Sequence, residues 1–210
     1  GPDGALYFCT GGRGTDGGIY RLRWKGSVPE HVSDLGSGIE RALRQPQLDA
    51  DWARTQVAQV KRELGSRWEG ELVQVASDPQ AEVAVRRRAV TLLTYFGPAP
   101  SNDLLMELSA DRQPALRAQA VRLLSMRNTP EFGQQFGRLL ADPDAAVRRL
   151  TCEAIVHRQE PLDPQQLIEL LADSDRFVAF AARRALESMP VAQWQGAVFN
   201  TADRRSFFQG

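Results

Sequence analysis

Between Asp78 and Met189 the apolar positions of this chain return at a fixed interval of 31 residues. Each return opens at Val85-Arg86, Leu116-Arg117, Val147-Arg148 or Val178-Ala179. Apolar or small residues follow four, seven and eight places on: Ala89, Leu92, Leu93; Ala120, Leu123, Leu124; Thr151, Ala154, Ile155; Ala182, Ala185, Leu186. That spacing puts them on one stripe of an α-helix. Upstream, Leu105 and Leu108, Phe136 and Leu139, and Leu167 and Leu170 keep the same interval. Each unit is therefore expected to be two helices joined by an Asp turn, at Asp78-Pro79, Asp111, Asp142-Pro143 and Asp173-Ser174. The Asp carboxylate is expected to cap the second helix, and Pro to stop the first. A period between about 20 and 50 residues is the mark of a solenoid.

Asp111 stands six residues before Arg117, and Asp142 six before Arg148. In stacked helix pairs such residues can form a ladder from one repeat to the next, each Arg forking onto a carboxylate. Asp78 stands eight before Arg86, and Ala179 replaces the last Arg, so the ladder is expected to be looser at its start and to stop at its end. This pattern resembles the HEAT-repeat family. The resemblance implies a mostly α fold, a right-handed α-solenoid of helix pairs whose second helices line the concave face. On those helices the positions two, six and nine after the apolar opening point away from the core. They include Arg87, Arg122, Arg149, Glu153 and Arg184, a partly basic row that is a candidate groove for a partner.

The rest of the chain frames the repeats. Residues 1–26 carry two β-prone runs, Ala5–Thr10 and Ile19–Trp24, around a glycine-rich loop, which predicts an N-terminal β-hairpin. Residues 27–45 read as a linker and a short helix, Ile39–Arg44, stopped by Pro46. Residues 46–76 hold a capping helix, Leu48–Leu64, with Trp52, Val57, Val60 and Leu64 on one side and Gly65 at its end, then the first helix of repeat one. Residues 77–189 are the repeats, and 190–210 a short helix over Val191–Val198 and a tail with Phe207-Phe208.

The run Gly-Pro-Asp-Gly-Ala-Leu-Tyr-Phe, then Gly-Gly-Arg-Gly, then Gly-Gly-Ile-Tyr-Arg-Leu is similar to the last blade of a glucose/sorbosone dehydrogenase-like β-propeller. In large planctomycete-type proteins such a propeller is followed by HEAT repeats and a haem-bearing cytochrome c-like domain. The resemblance implies an extracytoplasmic, periplasmic parent protein with haem c elsewhere, for no Cys-x-x-Cys-His occurs in this sequence. The chain opens inside a strand motif, with neither Met nor a signal peptide, so it is expected to be a fragment of something larger.

Charge narrows the function. The 26 basic and 26 acidic residues balance, whereas a general nucleic-acid binder carries a basic excess. Protein, peptide or a neighbouring domain is thus the expected partner, with no nucleic acid. No run approaches the roughly eighteen apolar residues of a membrane helix, so no membrane insertion is expected. Gly12-Arg-Gly-Thr-Asp-Gly17 fits a dinucleotide pattern, but a strand follows where a helix would have to receive the phosphates. The two histidines, His31 and His157, and the two cysteines, Cys9 and Cys152, fall in no metal-binding spacing. Cys152 and His157 read as structural, and no paired carboxylates or activated nucleophile stand out.

The sequence therefore predicts a non-catalytic interaction or spacer module without a cofactor of its own. The alternative is the C-terminal part of a haem- or quinone-linked sugar or alcohol dehydrogenase-like enzyme. Residues 46–210 are expected to fold without the hairpin, checked by a cooperative thermal transition of that fragment; a molten fragment would move the boundary.

Overall fold

The computed structural model describes residues 1, 5–27, 34–127, 129–158, 162–201 and 203–209. His31 and the Pro2-Asp3-Gly4 turn lie outside them, as does the side chain of Phe208. The chain divides into two compact units, Gly1–Trp68 and Glu69–Gly210.

The first unit opens with an antiparallel hairpin of β1 (Leu6–Gly12) and β2 (Thr15–Leu22), with Leu6 opposite Leu22 and Cys9 opposite Ile19. The expected glycine-rich loop is mostly strand, and the turn is only Arg13-Gly14. Two glycines explain this. Gly14 has φ +81°, open to a residue without Cβ, and a Cβ at Gly17 would stand 2.8 Å from the Thr10 carbonyl oxygen. The Phe8 and Tyr20 rings stack at 5.2 Å. Even so, Leu6, Ile19 and Trp24 remain 61%, 84% and 73% exposed.

Two helices follow, α1 (Gly38–Leu43) and α2 (Asp51–Leu64). Ala42 of α1 and Ala53, Val57 and Val60 of α2 are buried, and Arg41 donates to Gln56 Oε1 between the helices. Residues 48–50 form a turn, so α2 starts three residues later than the sequence predicts. Gly65, at φ +56°, ends it as expected.

From Glu69 on, the repeats occupy the second unit. In chain order the pairs are α3 (Arg67–Ser77) with α4 (Val83–Phe96), and α5 (Asn102–Leu108) with α6 (Pro114–Leu124). Next come α7 (Pro130–Gly133) and α8 (Phe136–Leu140) with α9 (Ala145–Arg158), then α10 (Gln165–Leu170) with α11 (Arg176–Glu187). Of the twelve positions in the second-helix stripe, only Leu123 is half-buried, and the rest are buried. Removing that apolar surface from water is the main force holding the pairs together. The third repeat's first helix is broken at Gln134-Gln135, and Phe132 and Phe136 pack edge to face on either side of the break. The expected helix over Val191–Val198 is a 3₁₀ turn, Val191–Gln193, followed by α12 (Gln195–Phe199), because Trp194 leaves helical geometry at φ −127°. In α13 (Arg204–Gln209) the Phe207 ring lies 6.3 Å from that of Phe199.

The Asp turns do not cap the second helices. Instead Asp78, Asp111, Asp142 and Asp173 each accept through Oδ1 from the backbone N–H two residues on, closing an Asx turn. In the last two repeats capping falls to that donor residue itself: Asp144 accepts from Ala146 and Val147, and Asp175 from Phe177 and Val178. The corresponding residues of the first two repeats, Glu82 and Gln113, make no side-chain cap. An i+2 bond leaves the turn carboxylate facing sideways, toward the preceding repeat.

There it meets arginine. Arg86 Nη2 donates to Asp111 Oδ2 at 2.5 Å. Arg117 forks onto Asp142 at 2.7 and 2.6 Å, and Arg148 onto Asp173 at 2.9 and 3.0 Å. Each pair spans 25 residues, from one second helix to the next turn. The same arginines also reach back. Arg117 Nη1 donates to the carbonyls of Asp111 and Arg112, Arg148 Nη1 to those of Asp142 and Pro143, and Arg86 Nε to that of Ala76. Arg117 and Arg148 thus tie their own turns to the next ones, and Arg86 ties the end of α3 to the Asp111 turn. Ala179 brings no guanidinium to the last repeat and is itself buried.

The middle pair is the most enclosed, with side-chain exposures of 10% for Arg117 and 5% for Asp142. Its hydrogen bond to Asp142 raises the Arg117 pKa above its usual value, against the opposing effect of burial. The arginine therefore stays charged, and the link is lost only as pH rises past that raised value. Arg117→Ala would leave the Asp142 carboxylate buried without its cation, an expected loss of about 3–5 kcal/mol. For the more open Arg148→Ala the expected loss is about 1–3 kcal/mol. Chemical denaturation of both variants checks this, and losses within error would show that the ladder does not stabilise the stack.

Candidate partner-binding face

With Asp111, Asp142 and Asp173 engaged in the ladder, the charged row marked out by the sequence lies along the second helices. Arg87 is on α4, Arg122 on α6, Arg149 and Glu153 on α9, and Arg184 on α11; all are exposed or half-buried. Arg122, Arg149 and Glu153 come together in an open groove of about 750 Å³ between α6 and α9. Met126, Leu150 and His157 supply its apolar and aromatic wall. Beyond α9 a hollow of about 250 Å³ is bounded by Arg149, Val156, Phe177, Phe180 and Arg184. Arg149 and Glu153 line both, so the two hollows share a wall.

Arg87 lines neither hollow. Its carbonyl accepts from Gln119 Nε2 at 3.2 Å, and the same amide donates to Thr91, which bridges α4 to α6. At the equivalent position of α9 stands Leu150, which has no polar group to make that bridge.

The groove is basic. Arg122, Arg127, Arg149 and Arg158 line it with a single carboxylate, that of Glu153. Arg149 Nη1 lies 3.3 Å from Glu153 Oε1, with the two side chains 43% and 45% exposed. Such an exposed pair holds weakly, so both groups can exchange partners. Arg122 has no carboxylate partner among the described residues.

Arg127 and Arg158 face the groove but are fastened from behind. Arg127 Nη1 donates to the Pro100 carbonyl at 2.5 Å and to Asn102 Oδ1 at 3.0 Å. Arg158 donates to the carbonyls of Arg127 and Thr129, and its guanidinium lies 5.6 Å from the Phe132 ring centroid. These two arginines, absent from the sequence reading, stand 31 residues apart, so the repeat itself could have found them. Phe177, one place before the apolar opening, was missed for a different reason: helix periodicity marks buried residues, and Phe177 is 55% exposed.

His157 is exposed and lines the groove, as does Met126 at the same repeat position; Tyr95, also at that position, is exposed but lies outside the groove. That position falls past the end of the buried stripe, on the last turn of α4 and α9 and just beyond the end of α6. Cys152 is buried, and burial pushes its thiol pKa up to about 12. No helix among the described residues is long and apolar enough to cross a membrane.

Residues 103–187 match the family model of HEAT repeats. The matched stretch runs from α5 through α11 and contains both hollows. The pair α3 and α4 precedes it, although Arg86 on α4 supplies the first ladder contact to the HEAT segment. No curated protein matches the chain.

The two thiols are expected to separate by accessibility. At pH 8 a thiol reagent should titrate exposed Cys9 at once and Cys152 only on unfolding. Because folding raises the Cys152 pKa from 9.0, stability should fall as pH climbs from about 9 to about 12, the unfolded chain ionising first. Thiol counting in native and denatured protein, and denaturation against pH for the chain and Cys152→Ala, check both points. Two fast thiols in the folded protein would show that the third repeat opens.

Proposed function

We propose that this chain is a non-catalytic protein-interaction module that receives a protein partner, or a neighbouring domain, on its second-helix face. What supports the reading most is the groove between α6 and α9, where Arg122, with no carboxylate partner among the described residues, stands beside exposed Met126 and half-buried Leu150 within the HEAT-matching stretch. HEAT repeats present such helix faces as extended binding surfaces. Arg122, Arg149, Glu153 and Arg184 act as the contact row, while Asp111, Arg117, Asp142 and Arg148 hold the repeats in register behind it.

The wider setting rests on resemblance. We place the module, as a right-handed solenoid, in a larger extracytoplasmic protein, behind a β-propeller and ahead of a haem-bearing domain. In that reading the hairpin is part of a propeller blade. Its exposure of Leu6, Ile19 and Trp24 supports this, since an isolated hairpin is marginal in water and gains stability from further strands.

A photo-crosslinking residue tests the binding face. Met126, 83% exposed on the groove, is replaced by benzoylphenylalanine, and so in a second protein is Glu107 on α5. The expected outcome is a defined crosslink to one protein or domain from position 126 and none from position 107. No crosslink at 126, or equal crosslinking at both, would remove the reading.

A further inference from the structure

Two features of the second-helix face ask for different chemistry, and they lie a fixed distance apart. On α6, Arg122 is exposed and has no carboxylate partner among the described residues. On α11, Phe177 and Phe180 are 55% and 58% exposed and share one hollow with Val156. The Arg176 guanidinium lies 4.7 Å from the Phe177 ring centroid, which keeps basic charge near this second site too. Between the two stands Arg149, on the wall common to both hollows.

Resting on the interaction-module reading, we propose that the face takes an extended acidic peptide segment with one apolar anchor. A side-chain carboxylate of the ligand pairs with Arg122, forking as the ladder carboxylates do on their arginines. An aromatic or aliphatic side chain seats against Phe177 and Phe180. Arg149 leaves its exposed pairing with Glu153 and takes a carboxylate or carbonyl of the ligand midway.

The stacking sets the spacing. Helix α9 packs against α6 on one side and α11 on the other. Packed helix axes stand about 8–10 Å apart, so α6 and α11 are about 16–20 Å apart. An extended chain advances about 3.3 Å per residue, which places carboxylate and anchor about five or six residues apart. Charge favours a peptide over a nucleic acid. Glu153 and Glu187 interrupt the arginines along the face, and the chain as a whole is neutral, so a continuous phosphate backbone would meet carboxylates as well as guanidinium groups.

Selection from a random dodecapeptide library on the full chain tests this, followed by fluorescence anisotropy with a synthetic winning peptide. The expected winners carry Asp or Glu five or six residues from Phe, Leu or a similar anchor, and bind less tightly as salt rises. Arg122→Glu and Phe180→Ala should each weaken the peptide at least tenfold, without altering thermal unfolding, because both side chains are exposed. Winners without that spacing, no winners, unchanged affinity in both variants, or tighter binding of a twelve-nucleotide single strand would each overturn the proposal. A partner crosslinked at position 126, alongside a library with no acidic winners, would retire this inference alone. Failure of both would remove the interaction-module reading as well.

Discussion

The second unit depends on one arrangement, a guanidinium held between the turn of its own repeat and the carboxylate of the next. Taking both charges out of water is costly, and the gain returns only when the geometry is good and the remaining hydrogen bonds are made. Arg117 meets those terms, with two bonds forward to Asp142 and two back to the carbonyls of Asp111 and Arg112. Apolar helix stripes alone could slide by a turn with little loss. A forked ion pair cannot, so it fixes which turn sits opposite which helix. The carboxylate has a second task, since Asp142 Oδ1 also closes its own turn by accepting from Asp144 N–H. Turn shape and repeat register are therefore coupled through one side chain.

This division of labour leaves the second-helix face free. The ladder occupies the starts of α4, α6 and α9, whereas Arg127, just beyond α6, and Arg158, at the end of α9, fasten backbone carbonyls that follow α4 and α6. With both ends pinned, the middle turns carry side chains that no structural task consumes. Arg122, Arg149 and Leu150 are among them. Identical scaffolding can thus carry different faces, because what varies from repeat to repeat lies between the fixed points.

The repeat period and the buried stripes were legible in the sequence because helix packing repeats its demands at every turn. Ala89, Ala120, Ala154 and Ala185 could be placed from spacing alone. The partner of each ladder arginine was less visible, since Arg148 reaches Asp173, 25 residues ahead, while Asp142 lies only six behind. Spacing names the residue types and does not decide between neighbours. The hairpin turn was misjudged because glycine serves both loops and close strand approaches, and at Gly17 the reason is the Thr10 carbonyl across the pair. The groove was partly legible: the outward row included Arg122 and Arg149, but the exposed Phe177 and His157 obey no burial rule that a pattern could detect.

The ladder also gives the stack a mechanical character. Its ion pairs link only nearest neighbours, so along the axis of the repeats they act in series, as coils of a spring do. In such a chain extension gathers at the most compliant link. Arg148 and Asp173 grip with two bonds, as do Arg117 and Asp142, but Arg86 holds Asp111 through a single Nη2. By its ladder bonds alone the link between α4 and the Asp111 turn is the weakest, and the Gln119 bridge from α6 to Arg87 and Thr91 of α4 makes up part of the difference.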